Sequence, residues 1–381
     1  MKNFIGCWFV CICLFSGFVN AQTENKLPDW AFGGFVRPEN INPVISPDST
    51  STFFCPMNKK QIDWESNDTF NPAATIKNGK IVVIYRAEDK AGKAIGKRTS
   101  RLGYAESEDG ISFKRRKEPV LYPAEDSQKA MEWPGGCEDP RVAVTIDGLY
   151  VIFYTQWNQD KARIGVATSK DLLKWEKHGP VFKKAYNGKF NEIWSKSGSI
   201  VTKLENKKQV IAKINGKYWL YFGESNVNVA TSTDLINWTP VVDKNENLVN
   251  LISPRKGYFD SNLTECGPPA IVTDKGIVLL YNGKNDKGED GDKRFTPNSY
   301  CAGQVLLDKN DPTKVLARMD VPFFRPMEPF EKSGQYVAGT VFIEGMVYFK
   351  EKWLLYYGCA DSRVGMAVFD PKMKTPGDPL P

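Results

Sequence analysis

Three carboxylates stand in settings that suit acid–base chemistry. Asp139 lies in Gly135-Gly136-Cys137-Glu138-Asp139-Pro140-Arg141. The glycines let the backbone bend, Pro140 fixes the chain before the next strand, and Arg141 offers charge-assisted hydrogen bonds to a carboxylate. A structural Asp–Arg pair at a strand entrance is the plainer alternative. Glu224 follows Tyr221-Phe222-Gly223, where an inner strand is expected to end with its turn towards a central axis. An ordinary strand-end acid would look the same. Glu265 lies in Thr264-Glu265-Cys266-Gly267-Pro268-Pro269, an apolar turn where an acid adds little to solubility, with a structural role again open. Other chemistries have little material. The one histidine, His178, is read as a surface residue in the turn Trp175-Glu176-Lys177-His178-Gly179-Pro180, which argues against Ser–His, Cys–His and multi-histidine metal centres. Beyond residue 21 the cysteines are Cys55, Cys137, Cys266, Cys301 and Cys359, with no CxxC pair to suggest zinc. Their odd number leaves at least one thiol free, and buried single thiols are expected.

The elements that must position these acids come from a repeat. A small-residue turn, a β-rich run ending in an aromatic, a polar stretch and a second strand recur five times. Copies include Asn78-Gly79-Lys80-Ile81-Val82-Val83-Ile84-Tyr85 and Asp147-Gly148-Leu149-Tyr150-Val151-Ile152-Phe153-Tyr154. Anchored on Tyr85, Tyr154, Tyr221, Tyr281 and Tyr357, the spacings are 69, 67, 60 and 76 residues. One supersecondary unit repeated at this period predicts an all-β fold, a five-bladed β-propeller. The propeller is expected over residues 71–370, with a Pro- and Asn-rich lead-in at 22–70 packing on it and a tail at 371–381. The acids are expected at corresponding positions of successive blades, converging at one end of the axis. With Asn71, Arg86 and Asp361 they would form a polar pocket walled by aromatics, which suits a carbohydrate. Glycoside hydrolysis needs one protonated carboxyl for the leaving oxygen and one carboxylate to activate water or to attack.

Composition narrows the partners. Formal net charge is +6 over 381 residues, and no concentrated basic patch points to nucleic acid; Arg115-Arg116-Lys117 reads as a solvated loop. Aromatics make up 12%, which suits sheet faces and sugar stacking. Lys2, the apolar stretch from Phe4 to Val19 and the small-residue end Val19-Asn20-Ala21 read as a signal peptide over 1–21 rather than a membrane anchor. A periplasmic or secreted protein is the expectation. No later segment has the roughly 18 consecutive apolar residues of a membrane span.

Six phrases in order resemble glycoside hydrolase family 130. They are Phe70-Asn71-Pro72-Ala73, Tyr85-Arg86-Ala87-Glu88-Asp89, Gly136-Cys137-Glu138-Asp139-Pro140-Arg141, Gly267-Pro268-Pro269-Ala270, Tyr281-Asn282-Gly283 and Tyr357-Gly358-Cys359-Ala360-Asp361. The resemblance implies a five-bladed propeller acting on β-mannosides, as an inverting phosphorylase or as a member of a hydrolase branch. It implies that Asp139 is the general acid, relaying its proton through a sugar hydroxyl. It implies that Asn71, Arg86 and Asp361 hold the terminal mannose, that Tyr281 lines the phosphate or water side, and that Lys213 matches a phosphate-side lysine. It implies no metal or organic cofactor.

The departures from the family pattern point to water as acceptor. Phosphorylases carry a His-Arg pair where this chain has Phe222-Gly223, and an Arg-Asn pair in the region of Lys196-Ser197. A phosphate dianion needs several fixed cations and donors. Glu224 and Glu265 instead match glutamates of the branch similar to exported β-1,2-mannosidases, and would supply the base. The expectation is an exported inverting β-mannosidase acting on an oligosaccharide or glycan. Its carboxyl groups should stand roughly 6.5–9.5 Å apart, or wider with a relayed proton. A phosphorylase and a non-catalytic glycan-binding propeller are the alternatives. Oligomeric state is left open.

Overall fold

Paired left-handed residues make the hairpins. In the computed structural model, which describes residues 23–92, 94–373 and 375–381, Asn78 and Gly79 have φ of 51° and 76°, and Asn215 and Gly216 have 52° and 77°. Two successive positive φ values match the twist of antiparallel strands, which is why Asn-Gly recurs. The expected signal segment 1–21 lies outside the described residues.

The described residues are nearly all β. Among them the helical pieces are single turns at Lys129–Glu132, Ala185–Gly188 and Pro329–Glu331. The strands group into successive antiparallel meanders. The first runs Asp68–Lys77, Lys80–Glu88, Ser100–Ser107, Lys114–Arg115. The second runs Gly136–Val144, Tyr150–Trp157, Ala162–Ser169, Glu176–Pro180. The third is Ser199–Glu205, Lys217–Phe222, Asn228–Ser232, Thr239–Pro240. The fourth is Ala270–Val272, Ile277–Lys284, Tyr300–Leu307, Val315–Arg318, with Leu263–Cys266 also pairing Ile277–Lys284. Val341–Phe349, Lys352–Cys359 and Arg363–Phe369 follow, and lead-in residues Val36 and Ile45 bridge to Val368 and Val364. Thr23–Asn25 pairs with Gly377–Leu380, so lead-in and tail join each other. His178, expected in a turn, lies within Glu176–Pro180, its Nε2 2.8 Å from the Thr168 hydroxyl. All five described cysteines are buried and unpaired.

Apolar clusters close these meanders into a ring. Ile84 and Tyr104 pack with Ile152 and Tyr154, Phe153 with Leu220 and Trp238, and Val229 with Leu279. Leu280 packs with Leu355, and Val83 with Tyr356 and Met366, which joins the first meander to the last. Because both faces of each sheet are covered, the Lys80–Glu88 strand is buried almost throughout rather than alternating.

The repeated tyrosines brace this ring. Tyr85 donates to Glu65 (2.6 Å), Tyr154 to Glu132 (2.7 Å), Tyr281 to Asp260 (2.7 Å) and Tyr357 to Glu331 (2.8 Å). Each buried carboxylate is matched by a cation, respectively Arg115, Lys177, Arg318 and Arg37. Glycine of the next strand makes room. A Cβ at Gly103, Gly303 or Gly365 would come within 2.4, 2.6 or 2.7 Å of the Tyr85, Tyr281 or Tyr357 ring. Tyr221 breaks the series. It packs towards the fourth meander and donates only to the Pro312 carbonyl (3.0 Å), while Phe222 faces the second meander. One residue of slip in a strand moves a side chain to the other face, so Phe222 takes the place that tyrosine fills elsewhere.

This predicts unequal costs. Tyr281→Phe deprives a buried carboxylate of a donor and is expected to destabilise by about 1–3 kcal/mol, against about 0.5–1.5 for Tyr221→Phe. Urea unfolding of the two variants checks the order.

Candidate functional site

The candidate site is built where the first strands break register. Pairing shifts between Phe70 and Pro72, between Glu138 and Arg141, and between Ile343 and Gly345. At these kinks and in adjoining loops, Asn71 and Asp139 both have φ 46°, Ser197 60° and Asp361 51°. Such bulges re-aim side chains out of the pleat, and non-glycine residues held left-handed concentrate at functional sites.

Arg86 and Lys196 organise the carboxyl groups. The Arg86 guanidinium donates to Glu88 (2.7 Å), Glu138 (2.8 Å), Asp139 (3.0 Å) and the Ser100 hydroxyl (3.0 Å), with the Phe70 ring 4.7 Å away. Asp139 Oδ1 also accepts from Asn71 Nδ2 (2.9 Å), and its Oδ2 is 3.2 Å from Lys196 Nζ. Asn71 in turn rests on the bare backbone of Gly358, where a Cβ would come 2.2 Å from Asn71 Oδ1. Arg141 is fully buried. It donates to the backbone carbonyls of Asp139 (3.0 Å), Cys266 (2.6 Å) and Gly267 (3.3 Å) and lies 2.9 Å from a Glu344 oxygen.

Glu265 is buried and accepts from the Ser197 hydroxyl. Glu224 is half-exposed and accepts from the Trp194 indole N–H at 2.6 Å. Backbone bonds join their segments. The Gly223 N–H donates to the Lys196 carbonyl (2.9 Å), and the Ser225 carbonyl accepts from the Thr264 N–H and hydroxyl. The charges of Glu224, Asp139 and Glu265 all hold Lys196 protonated against the pull of burial.

Carboxyls outnumber cations here. Glu138, Asp139, Glu224, Glu265, Glu344 and Asp361 share Arg86, Arg141 and Lys196. Burial pushes Glu138, Glu265 and Asp361 up to about 7 against the nearby cations, and raises Glu344 well above its usual range. Burial also works to raise Asp139, but Arg86 and Lys196 outweigh it and hold that carboxyl below the usual range. Two differently tuned carboxyl environments in one pocket are what acid–base chemistry uses.

The structure therefore brings Asn71, Arg86, Asp139, Arg141, Glu224, Glu265 and Asp361 to one region. Their route differs from the expected one. Asp139 directly precedes Pro140, whereas Glu265 stands three residues before Pro268, and Glu224 follows the second strand of its meander, not the innermost. The acids converge from non-equivalent positions. Lys213 is not brought in: it lies exposed at the other end of Lys217–Phe222, its ammonium 4.7 Å from the Tyr218 ring. Tyr281 is committed to Asp260 in the wall between the third and fourth meanders. Sequence reasoning missed Lys196, Ser197, Glu138 and Glu344 as partners. Glu344 carried a signal, being a charge within the apolar run Val341-Phe342-Ile343-Glu344-Gly345-Met346-Val347. Among the described residues, no group of three His, Cys, Asp or Glu side chains is arranged to hold a metal ion.

Comparison with known proteins agrees with this architecture. A profile of glycoside hydrolase family 130, described as beta-1,4-mannooligosaccharide phosphorylase, matches residues 43–373. A 1,2-beta-oligomannan phosphorylase of Thermoanaerobacter sp. (strain X514) is 36% identical over 83% of this chain and 94% of its own. The solved structure of a glycosyl hydrolase from Bacteroides ovatus is 66% identical, covers 94% of this chain and 100% of its own, and superposes with a TM-score of 0.93. Another solved structure, from work on GH130 glycoside hydrolases that target β-1,2 mannosidic linkages in Candida mannan, is 65% identical with a TM-score of 0.93. It covers 94% of this chain and 99% of its own.

The tuning has a stability signature. Between about pH 4.5 and 7 the folded chain holds a proton on Glu265 that the unfolded chain releases, so this group's contribution to stability falls as pH rises. Asp139 contributes the opposite way, stabilising above its ordinary range and losing that contribution as pH falls. Glu265→Gln is expected to gain on the parent by about 1–3 kcal/mol at pH 8 and by little at pH 4. Urea unfolding at the two pH values measures the difference.

Proposed function

The chain belongs to glycoside hydrolase family 130, and from that premise we propose that it is an inverting hydrolase that removes terminal mannose from β-mannosides, β-1,2-linked ones first. The observation that carries the reading is the company of Lys196. This single cation faces Asp139, Glu224 and Glu265, an arrangement that repels a phosphate dianion and suits a water molecule. The ring is read as five blades, one for each repeat anchor.

Asn71, Arg86 and Asp361 hold the terminal sugar. Glu265, with Glu224 beside it, takes a proton from water as the water oxygen bonds to the anomeric carbon. The bond to the leaving oxygen breaks, and that oxygen receives a proton from the Asp139 side. A buried carboxyl raised to about 7 is well matched to deprotonating water near neutral pH. Asp139 is held ionised in the unliganded site, so acid duty requires substrate to loosen its hold. A sugar hydroxyl that takes over a hydrogen bond from Arg86 or Lys196 does this; Asp139 then takes up the proton that Glu265 gives up to become the base, passes it to that hydroxyl as the hydroxyl gives its own to the leaving oxygen, and returns to the ionised form. Export, read from residues 1–21, supports hydrolysis, since a phosphorylase gains most where its sugar phosphate is retained.

A second reading rests on a separate observation. The Thermoanaerobacter relative and the matched family description are both phosphorylases. Incubation with β-1,2-, β-1,3- and β-1,4-mannobiose, with and without phosphate, separates the two. The hydrolase reading expects free mannose at a rate indifferent to phosphate. Mannose 1-phosphate formed in proportion to added phosphate decides for the second reading.

Asp139→Asn and Glu265→Gln are each expected to lower turnover by more than about a hundredfold with circular dichroism unchanged. A rate near that of the parent removes the residue from the mechanism. The rate kcat/KM should be level below an apparent value near 7 and fall above it, because the reacting site needs one proton on the Asp139 side and the free site, with Asp139 ionised, carries that proton only while Glu265 holds it.

A further inference from the structure

We propose that the exposed face of Trp194, braced by Trp157 and tied through its indole N–H to Glu224, is a subsite for the pyranose ring that follows the terminal mannose. The inference rests on the mannoside pocket proposed above and extends it outward.

Trp194 is 53% exposed, an unusual condition for the largest apolar side chain. It is nevertheless held still. Its N–H is committed to Glu224 at 2.6 Å, and the Trp157 ring meets it edge-on at a centroid distance of 5.6 Å. The Trp157 N–H is fixed in turn on the Gly96 carbonyl at 3.0 Å. The backbone on either side is anchored. Ser195 is buried, its N–H donating to the Ala162 carbonyl and its hydroxyl accepting from the Ile164 N–H, both at 3.1 Å. Glu192 accepts from Lys161 (3.0 Å) and Arg163 (2.8 Å). A rigid aromatic face turned to water loses little entropy when it takes a ligand.

Its place indicates what ligand. Its indole N–H meets Glu224, the charge of Glu224 acts on Lys196, and Lys196 stands 3.2 Å from Asp139, so an exposed indole adjoins the buried acid cluster. A saccharide whose terminal ring is held in that cluster must lead its next ring outward to solvent, where this face is available. An amphipathic indole suits the C–H face of a pyranose, with its polar edge turned elsewhere.

The test compares binding of methyl β-mannoside with thio-linked β-1,2-, β-1,3- and β-1,4-mannobioses, whose sulfur bridge resists cleavage, by calorimetry. The parent is expected to bind at least one disaccharide about tenfold more tightly than the methyl glycoside. Trp194→Ala should reduce that preference to within about twofold while leaving methyl β-mannoside binding unchanged, which also reports an intact fold. Trp194→Phe, which keeps a ring and loses the N–H, should retain most of the preference. A parent with no preference, or a Trp194→Ala protein that keeps it, overturns the subsite. Failure to turn over any β-mannoside, with a Trp194-dependent preference intact, would remove the hydrolase and leave the subsite standing.

Discussion

A single buried guanidinium holds the centre of this molecule together. Arg141 spans from its own meander to the turn before the fourth, donating to the carbonyls of Asp139, Cys266 and Gly267, and rests against Glu344 of the last. The planar fork of arginine can serve several acceptors at once, which a lysine ammonium could not reproduce in the same geometry. It fixes the backbone on both sides of the pocket, one bearing Asp139 and the other Glu265. A guanidinium with no exposed surface needs acceptors, and the three carbonyls supply them, while the Glu344 carboxyl, itself raised by burial, lies alongside. No directed hydrogen bond joins the two side chains, since neither Glu344 oxygen has a hydrogen-bond partner among the described residues.

The chemistry of the pocket follows from its shortage of cations. Where acids outnumber bases in a desolvated space, not all can be ionised. The positions of Arg86 and Lys196 decide which are. Asp139 touches both and is kept ionised; Glu265 touches a serine hydroxyl and lies further from them, so it is raised. Sequence adjacency does not predict this outcome, for Glu138 and Asp139 are neighbours shifted in opposite directions. Both meet Arg86; what distinguishes them is that Asp139 also meets Lys196 and the Asn71 amide, whereas Glu138 meets only the Ser100 hydroxyl besides.

Much of the ring was legible in the chain, and the reason is local. Asn78-Gly79 and Asn215-Gly216 specify hairpins from backbone preference alone, and the glycines of Leu102-Gly103-Tyr104 and Val364-Gly365-Met366 mark space for a tyrosine ring. Serine–aspartate turns such as Ser169–Asp171 and Ser232–Asp234 cap their own backbone and need no tertiary context. Convergence is a different problem. The meeting of Lys196 with Glu224 depends on how two loops cross at the end of a closed ring, and no spacing encodes it. Resemblance placed Asn71, Arg86, Asp139 and Asp361 in one region but did not transfer for Lys213, whose hairpin end points away. Tyr221 shows the limit of reading a repeat by its loudest residue. The aromatic was recognised, but its phase within the strand was off by one.

That phase explains how one repeat serves both stability and chemistry. Alternate residues of a strand face opposite sides of the sheet. In four repeats the anchor tyrosine faces the preceding neighbour and braces it through a buried acid and a cation. The next residue faces the other way. There the repeats differ: Arg86 gathers three carboxyls, Asn282 exchanges hydrogen bonds with the Ile343 backbone, Gly358 makes room for Asn71, and Thr155 follows Tyr154. The bracing face is held nearly constant while its reverse varies from one repeat to the next. Substitution on the variable face can therefore change the candidate site while leaving the tyrosine–acid–cation braces in place. In the third repeat, Phe222 takes the bracing face and Gly223 follows it. Gly223 has φ 131° and brings no side chain of its own, so the chain can turn and deliver Glu224 to Lys196. The loss of tyrosine at that bracing position and the arrival of a carboxylate in the pocket belong to the same local departure from the repeat.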